Sequence, residues 1–246
     1  MWRDRHPCSV IPVATRYPGG YRGAMSGYRR PDFTREIHRD GQGAPIAYGH
    51  RWEGTSPPSR AYSTVGHRHR FIPLHEVADA LIDWLLGAFD VVVEREPEVA
   101  SDLLFPSEDV VRAVRVVPSI LFAAPVTFVF TGFPGIFLHA GALYDAHYPV
   151  CGCDACDDDV PELLENLESV VRAVISGCFF ERISPTDDQS VDYRLAEPGR
   201  WEEAGCIQAE DVPEGRMETA EAMLPSDGHW LPWPEAMRDA AGAAGG

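Results

Sequence analysis

Lysine is absent from this chain: all 21 basic residues are arginine. No folding argument excludes lysine from every surface position, so its absence reads as the codon bias of a GC-rich bacterial genome and says nothing of function. Long apolar runs are missing too. The most apolar stretch, from Val116 to Phe130, is interrupted by Pro118, Ser119, Pro125 and Thr127, and it falls short of the roughly 18 uninterrupted residues a membrane helix needs. The early run from Ser9 to Ala14 is shorter than a secretory h-region and is broken by Pro12. These absences argue against a membrane span and an export signal, and the expectation is a cytoplasmic protein. In a reducing compartment six cysteines are more naturally ligands, redox thiols or small buried residues than a disulfide framework. Phosphate-binding glycine loops, nucleophile elbows and calcium loops are also missing.

Charge is abundant and unevenly placed. Residues 1–70 carry 12 Arg against 5 Asp and Glu, a balance of +7, and the remaining 176 carry 9 Arg against 33 acids, a balance of −24. A body this acidic repels phosphate backbones, so nucleic acid is not expected as a partner of the folded part, nor is a membrane. A protein partner of unknown identity remains open. Residues 1–38 are rich in Arg, Tyr, Gly and Pro without an apolar period, which predicts a disordered basic arm whose true start is a candidate at Met25. A single domain is expected over 39–237, followed by a flexible tail over 238–246. From Arg51 to Ser63 the chain gains aromatics without periodicity, which predicts an extended strap pinned to the domain by Trp52 and Tyr62.

Apolar residues at helical spacing, with Pro73 in the first turn, predict a helix over 73–89. A second helix is predicted over 161–178, with a stripe of Leu163, Leu164, Leu167, Val170, Val171, Val174 and Ile175, and Asp157 to Asp159 placed to complement its dipole. Val- and Phe-rich runs predict strands over 90–96, 110–117, 125–131 and 136–143. Gly132-Phe133-Pro134-Gly135 makes the last two a hairpin. Beyond Pro185 two further strands are predicted over 191–196 and 205–209, then a short helix over 213–224. Trp230 and Trp233 are expected to dock, because exposing them would cost about 2 kcal/mol each. The fold class is α+β: a mostly antiparallel sheet, two main amphipathic helices on one face, and a smaller C-terminal αβ extension.

The densest chemistry lies at Cys151-Gly152-Cys153-Asp154-Ala155-Cys156, followed by Asp157-Asp158-Asp159. Thiols so spaced can converge on one soft cation, and Gly152 permits the tight turn a C-x-C pair needs. Cys151, Cys153 and Cys156 supply three zinc ligands, and the fourth falls to His147 or His139. A redox pair of Cys153 and Cys156 near a helix N-terminus competes with this reading, but the adjacent aspartates disfavour a thiolate. The plain alternative is three small, partly buried residues. Other motifs fail by position. A zinc deaminase needs a glutamate where Gly141 stands. The helix start at His75-Glu76 has Asp79 in place of a second ligand, so His75 takes no ligand role. His67-Arg68-His69-Arg70 is most simply a solvated basic patch.

Arg51-Trp52, Pro57-Pro58, Ala61-Tyr62-Ser63, Pro73-Leu74-His75, Phe133-Pro134-Gly135, Leu138-His139-Ala140-Gly141 and the cysteine block together resemble a family of actinobacterial proteins grouped as a domain of unknown function, with a Cys-Gly-Cys-Asp-x-Cys-Asp core motif. The resemblance covers roughly residues 47–234 and implies domain extent and source, with no activity. The expected function is a binding or interaction module whose cysteine loop holds a structural zinc. The alternative is a thiol- or metal-dependent enzyme using the same loop. Because residues 1–24 have no apolar period, a chain starting at Met25 is expected to melt at the same temperature as the full chain. A drop of many degrees would show that the arm packs on the domain.

Overall fold

The computed structural model describes residues 26–33, 36–184 and 190–237. The predicted first helix forms as α1, Ile72–Ala88, with Pro73 in its first turn and Leu74, Val77, Ala78, Leu81, Ile82 and Leu85 buried. Five antiparallel strands follow in consecutive order: β1 (Val91–Glu94), β2 (Val110–Pro118), β3 (Val126–Thr131), β4 (Ile136–Ala140) and β5 (Tyr144–Tyr148). The 132–135 turn joins β3 to β4 as expected. What reads as one long strand over 136–143 is broken at Gly141, whose positive φ of 65° turns the chain into β5. A side chain there would strike the buried carboxylate of Glu181 and the ring of Phe179.

α2 (Val160–Ile175) leads into a second sheet of β6 (Phe179–Ile183), β7 (Val191–Glu197) and β8 (Trp201–Ile207). α3 (Arg216–Met223) completes the C-terminal extension. The architecture is α+β with two antiparallel sheets of five and three strands, the smaller sheet and α3 making up the C-terminal αβ extension. β6 escapes sequence inspection because only three residues separate it from the helix and it carries charged Glu181 and Arg182. Among the described residues, no helix is long and apolar enough to cross a membrane.

One face of the five-stranded sheet supplies Val114, Val116, Phe128, Phe130, Ile136 and Leu138 to the main core, together with α1 and α2. The opposite face carries an in-register polar row, Glu94, Arg115, Thr127, His139 and Asp145, one residue from each strand. Asp102 lies against this row and takes hydrogen bonds from Thr127 Oγ1 at 2.5 Å and Arg115 Nε at 2.6 Å. Arg115 holds the Asp102 carboxyl below the usual range although burial acts the other way.

α2 is more central than its stripe implies. Its polar residues Glu168, Ser169 and Arg172 are buried as well. Tyr28 and Arg30 cover them: the Tyr28 hydroxyl donates to Glu168 Oε1 at 2.7 Å, and Arg30 Nη2 bridges Glu165 and Glu168 at 2.7 and 2.6 Å. On the other side Arg172 Nε reaches Glu197 of β7 at 2.9 Å. Tyr28, Arg30 and Phe33 thus engage the body, within the segment expected to be a disordered arm. Residues 1–25 and 34–35 of that segment, and the expected flexible tail over 238–246, lie outside the described residues.

Both tail tryptophans dock, Trp230 at 3% and Trp233 at 4% exposure. Trp233 Nε1 donates to Ala124 O at 2.9 Å. Trp230 Nε1 donates to Glu181 Oε2 at 2.8 Å, and the N–H groups of Ala142 and Leu143 complete the carboxylate's shell. Burial raises the Glu181 pKa against these three bonds. Trp230→Phe removes one donor from a buried carboxylate and is expected to cost about 1–3 kcal/mol in urea denaturation. A group with a raised folded pKa loses stability as pH rises through it, so the variant's deficit should shrink as pH is lowered.

Candidate metal centre

The cysteine loop joins β5 to α2. Gly152, at a positive φ of 74°, turns the chain so tightly that a Cβ would lie 2.7 Å from the Phe133 ring. The turn then closes with Cys156 N–H donating to Cys153 O at 3.1 Å. The sulfurs of Cys151, Cys153 and Cys156 all lie within 4.8 Å of one another, and those of Cys153 and Cys156 are 3.5 Å apart. Thiolates on a tetrahedral zinc, with Zn–S bonds near 2.3 Å, sit about 3.8 Å apart. The donor set and its spacing therefore fit such an ion. Cys153 is buried, while Cys151 and Cys156 are exposed.

Burial opposes ionisation of Cys153, but hydrogen bonds from the Cys151 thiol and from Cys156 and Ala155 prevail and hold it below the usual thiol range. Cys156 is pushed up to about 12 by burial and by its two neighbouring sulfurs. Crowded thiols resist sharing negative charge, and a divalent cation removes that resistance.

The neighbouring aspartates have a different task from the one composition suggests. Asp154 and Asp157 are buried and bind the strap that crosses the loop. Asp154 Oδ1 accepts the Gly66 N–H at 2.7 Å, and Asp157 Oδ2 accepts the Arg51 N–H at 2.6 Å. Backbone bonds continue the seam: Asp154 N–H to Thr64 O at 2.8 Å, Ala155 N–H to Ala61 O at 3.1 Å, and Gly49 N–H to Asp157 O at 2.8 Å. Trp52 Nε1 donates to Asp154 O at 2.9 Å, which confirms the tryptophan as a pin. Tyr62, the other expected pin, is exposed. Arg70 donates from Nη1 to Asp158 O and lies over the Tyr48 ring at 3.7 Å.

A family model matches residues 34–237, a span that takes in the strap, the loop and both docked tryptophans. The chain belongs to DUF6226, a family of unknown function. No curated protein and no solved structure matches it. Among the described residues of this DUF6226 chain, the metal-ligand group at the loop consists of the three cysteines, with neither His139 nor His147 in it. His139 Nδ1 is 2.7 Å from Asp145 Oδ1, its cross-strand partner. His147 stacks on Phe137 with ring centroids 4.0 Å apart, and its Nε2 is buried without a hydrogen-bond partner. Both side chains belong to the sheet face opposite the main core, because strand residues two apart share a face. His75, given no ligand role, lies 2.9 Å from Gly135 O through Nε2 and braces the β3–β4 turn.

Sequence reading overlooks Gly66 and Arg51 as partners of the loop, since backbone N–H donors leave no mark in composition. Asp154→Ala strips the Gly66 N–H of its acceptor and is expected to cost about 1–3 kcal/mol in denaturant. Asp154→Asn, whose amide oxygen still accepts, should cost less. Equal losses would show that the charge, and not the hydrogen bond, holds the strap.

Proposed function

We propose that Cys151, Cys153 and Cys156 bind a zinc ion with a structural role, and that this DUF6226 domain is a binding or interaction module. The carrying observation is the convergence of three sulfurs within 4.8 Å in a loop sewn on both sides to the strap. Zinc there would tie residues 49–66 and the start of α2 into one fixed surface for a protein partner. The fourth position would be filled by solvent or by a side chain of that partner, since two of the three thiols are exposed and neither histidine belongs to the cluster. Three protein ligands with an open position are also the pattern of catalytic zinc, which keeps a metal-dependent enzyme as the second reading. Against it, the cavity of about 660 Å³ beside α2 is lined by Asp159, Val160 and Pro161 and by none of the cysteines.

Protein purified without chelator should carry at least one zinc per chain that resists gel filtration, one of them held by the cysteine loop. At a hundredfold excess over its Kd an ion stabilises by about 2.7 kcal/mol, so chelation should lower Tm by roughly 5–11 °C. Cys153→Ser should abolish that zinc, and Cys178→Ser should leave it in place. His139→Ala and His147→Ala should not weaken binding. Affinity should fall as pH is lowered, because protons compete for three thiolates. A metal-free protein whose melting ignores a strong chelator would leave the cysteines as small partly buried residues.

A further inference from the structure

The stretch before the strap and the 3-10 turn after it bring together a second set of metal-binding side chains at the cavity beside α2. Glu36, His38 and His69 each offer a ligand atom within 4.8 Å of the others, and all three line the cavity. They come from two stretches of chain with the same spacing, Glu36-x-His38 and His67-x-His69.

Both stretches are held from outside the cluster. Ile46 N–H donates to His38 O at 2.8 Å, and Arg39 bridges Pro45. The turn between them is closed by Asp40 Oδ1, which accepts the N–H groups of Gln42 and Ala44 at 2.9 Å each. His69 sits in the 3-10 turn Arg68–Phe71, which is preceded by His67 in the left-handed region at φ 49°. A non-glycine residue in that region is strained, and such strain persists where surrounding contacts over-determine it. Here it brings the His67 ring to 4.8 Å from that of His38, with Nδ1 at 3.1 Å from the Tyr48 hydroxyl. Asp32, Glu76 and Asp159 also line the cavity and favour positive charge there, while Arg70 opposes it.

We infer that Glu36, His38 and His69 form a two-histidine, one-carboxylate site for a divalent first-row transition cation, facing the cavity. Imidazole and carboxylate donors suit zinc, cobalt, nickel and iron(II), and three protein ligands leave positions for a small molecule in the cavity. His69 Nε2 already lies 3.1 Å from Glu36 Oε2, so an ordinary ion pair is the competing account. An ion pair needs no third partner, whereas His38 belongs to the cation site.

Cobalt(II) distinguishes this site from the cysteine loop, because thiolate ligands produce near-ultraviolet charge-transfer bands and imidazoles do not. The full chain, stripped of metal, is titrated with Co²⁺ by calorimetry and absorbance. One equivalent should bind without charge transfer, whether or not the cysteines take another, and Cys153→Ser should leave it intact. His38→Ala and His69→Ala should each weaken that equivalent at least tenfold. His50→Ala, which removes an exposed imidazole lining the same cavity, should not. Unchanged melting of these variants without metal shows that the loss is local. If the histidine variants bind Co²⁺ as the wild type does, or if no equivalent appears beyond the thiolate one, the cluster is an ion pair beside two histidines and the proposal fails.

Discussion

Two buried carboxylates, Asp154 and Asp157, hold the N-terminal strap to the loop before α2, the element beside which both candidate metal sites lie. Each accepts a backbone N–H from a residue about a hundred positions earlier. Such charge-assisted bonds are roughly twice as strong as neutral ones. They close a large chain loop, and they do so beside three thiols whose spacing is set by Gly152 and the Cys153–Cys156 turn. Without the strap the cysteines would sit on a solvent-bathed connection, where three thiols gain little from converging.

The start of α2 is where the molecule's unusual chemistry gathers. On one side stand the cysteines; on the other, the cavity with Glu36, His38 and His69. Arg70 lies between them, 6% exposed, donating to Asp158 and stacked on Tyr48. Burial lowers its pKa, and nearby tyrosine and aspartate side chains counter that effect. Its Nε and Nη2 are buried without hydrogen-bond partners, so the charge rests on the Nη1 bond, the Tyr48 ring and the nearby carboxylates. The acidic run after the cysteines therefore serves as much to seat Arg51 and Arg70 as to favour a cation.

Elsewhere the body buries charge in closed sets. Glu168, Arg172 and Glu197 interlock between α2 and β7, and Arg30 reaches Glu168 and Glu165 from the N-terminal side. Glu181 is enclosed by two backbone N–H groups and the Trp230 indole. These sets tie both ends of the described chain to the centre, which is why segments without apolar periodicity are docked. A charged residue on a helix is ordinarily a sign of solvent. In α2 it marks a contact with a segment far away in sequence.

Local order was legible from the residues alone. Apolar spacing and the positions of Pro73 and Pro161 located α1 and α2, because a helical stripe and an N-terminal proline are properties of a few neighbouring residues. Val-rich runs and the Gly132–Gly135 turn located β2, β3 and β4 for the same reason. The cysteine spacing pointed to one cluster, since three thiols within six residues have little room to diverge. The break at Gly141, the separate sheet begun by β6 and the choice of the cysteine loop as the strap's partner were decided in three dimensions. So was the meeting of Glu36 and His38 with His69: each pair looks like a solvated segment until the fold sets one against the other. The physical reason is common to all of them. Hydrogen bonds to backbone N–H groups, cross-strand partners and buried ion pairs depend on which distant segments become neighbours, and no local pattern encodes that.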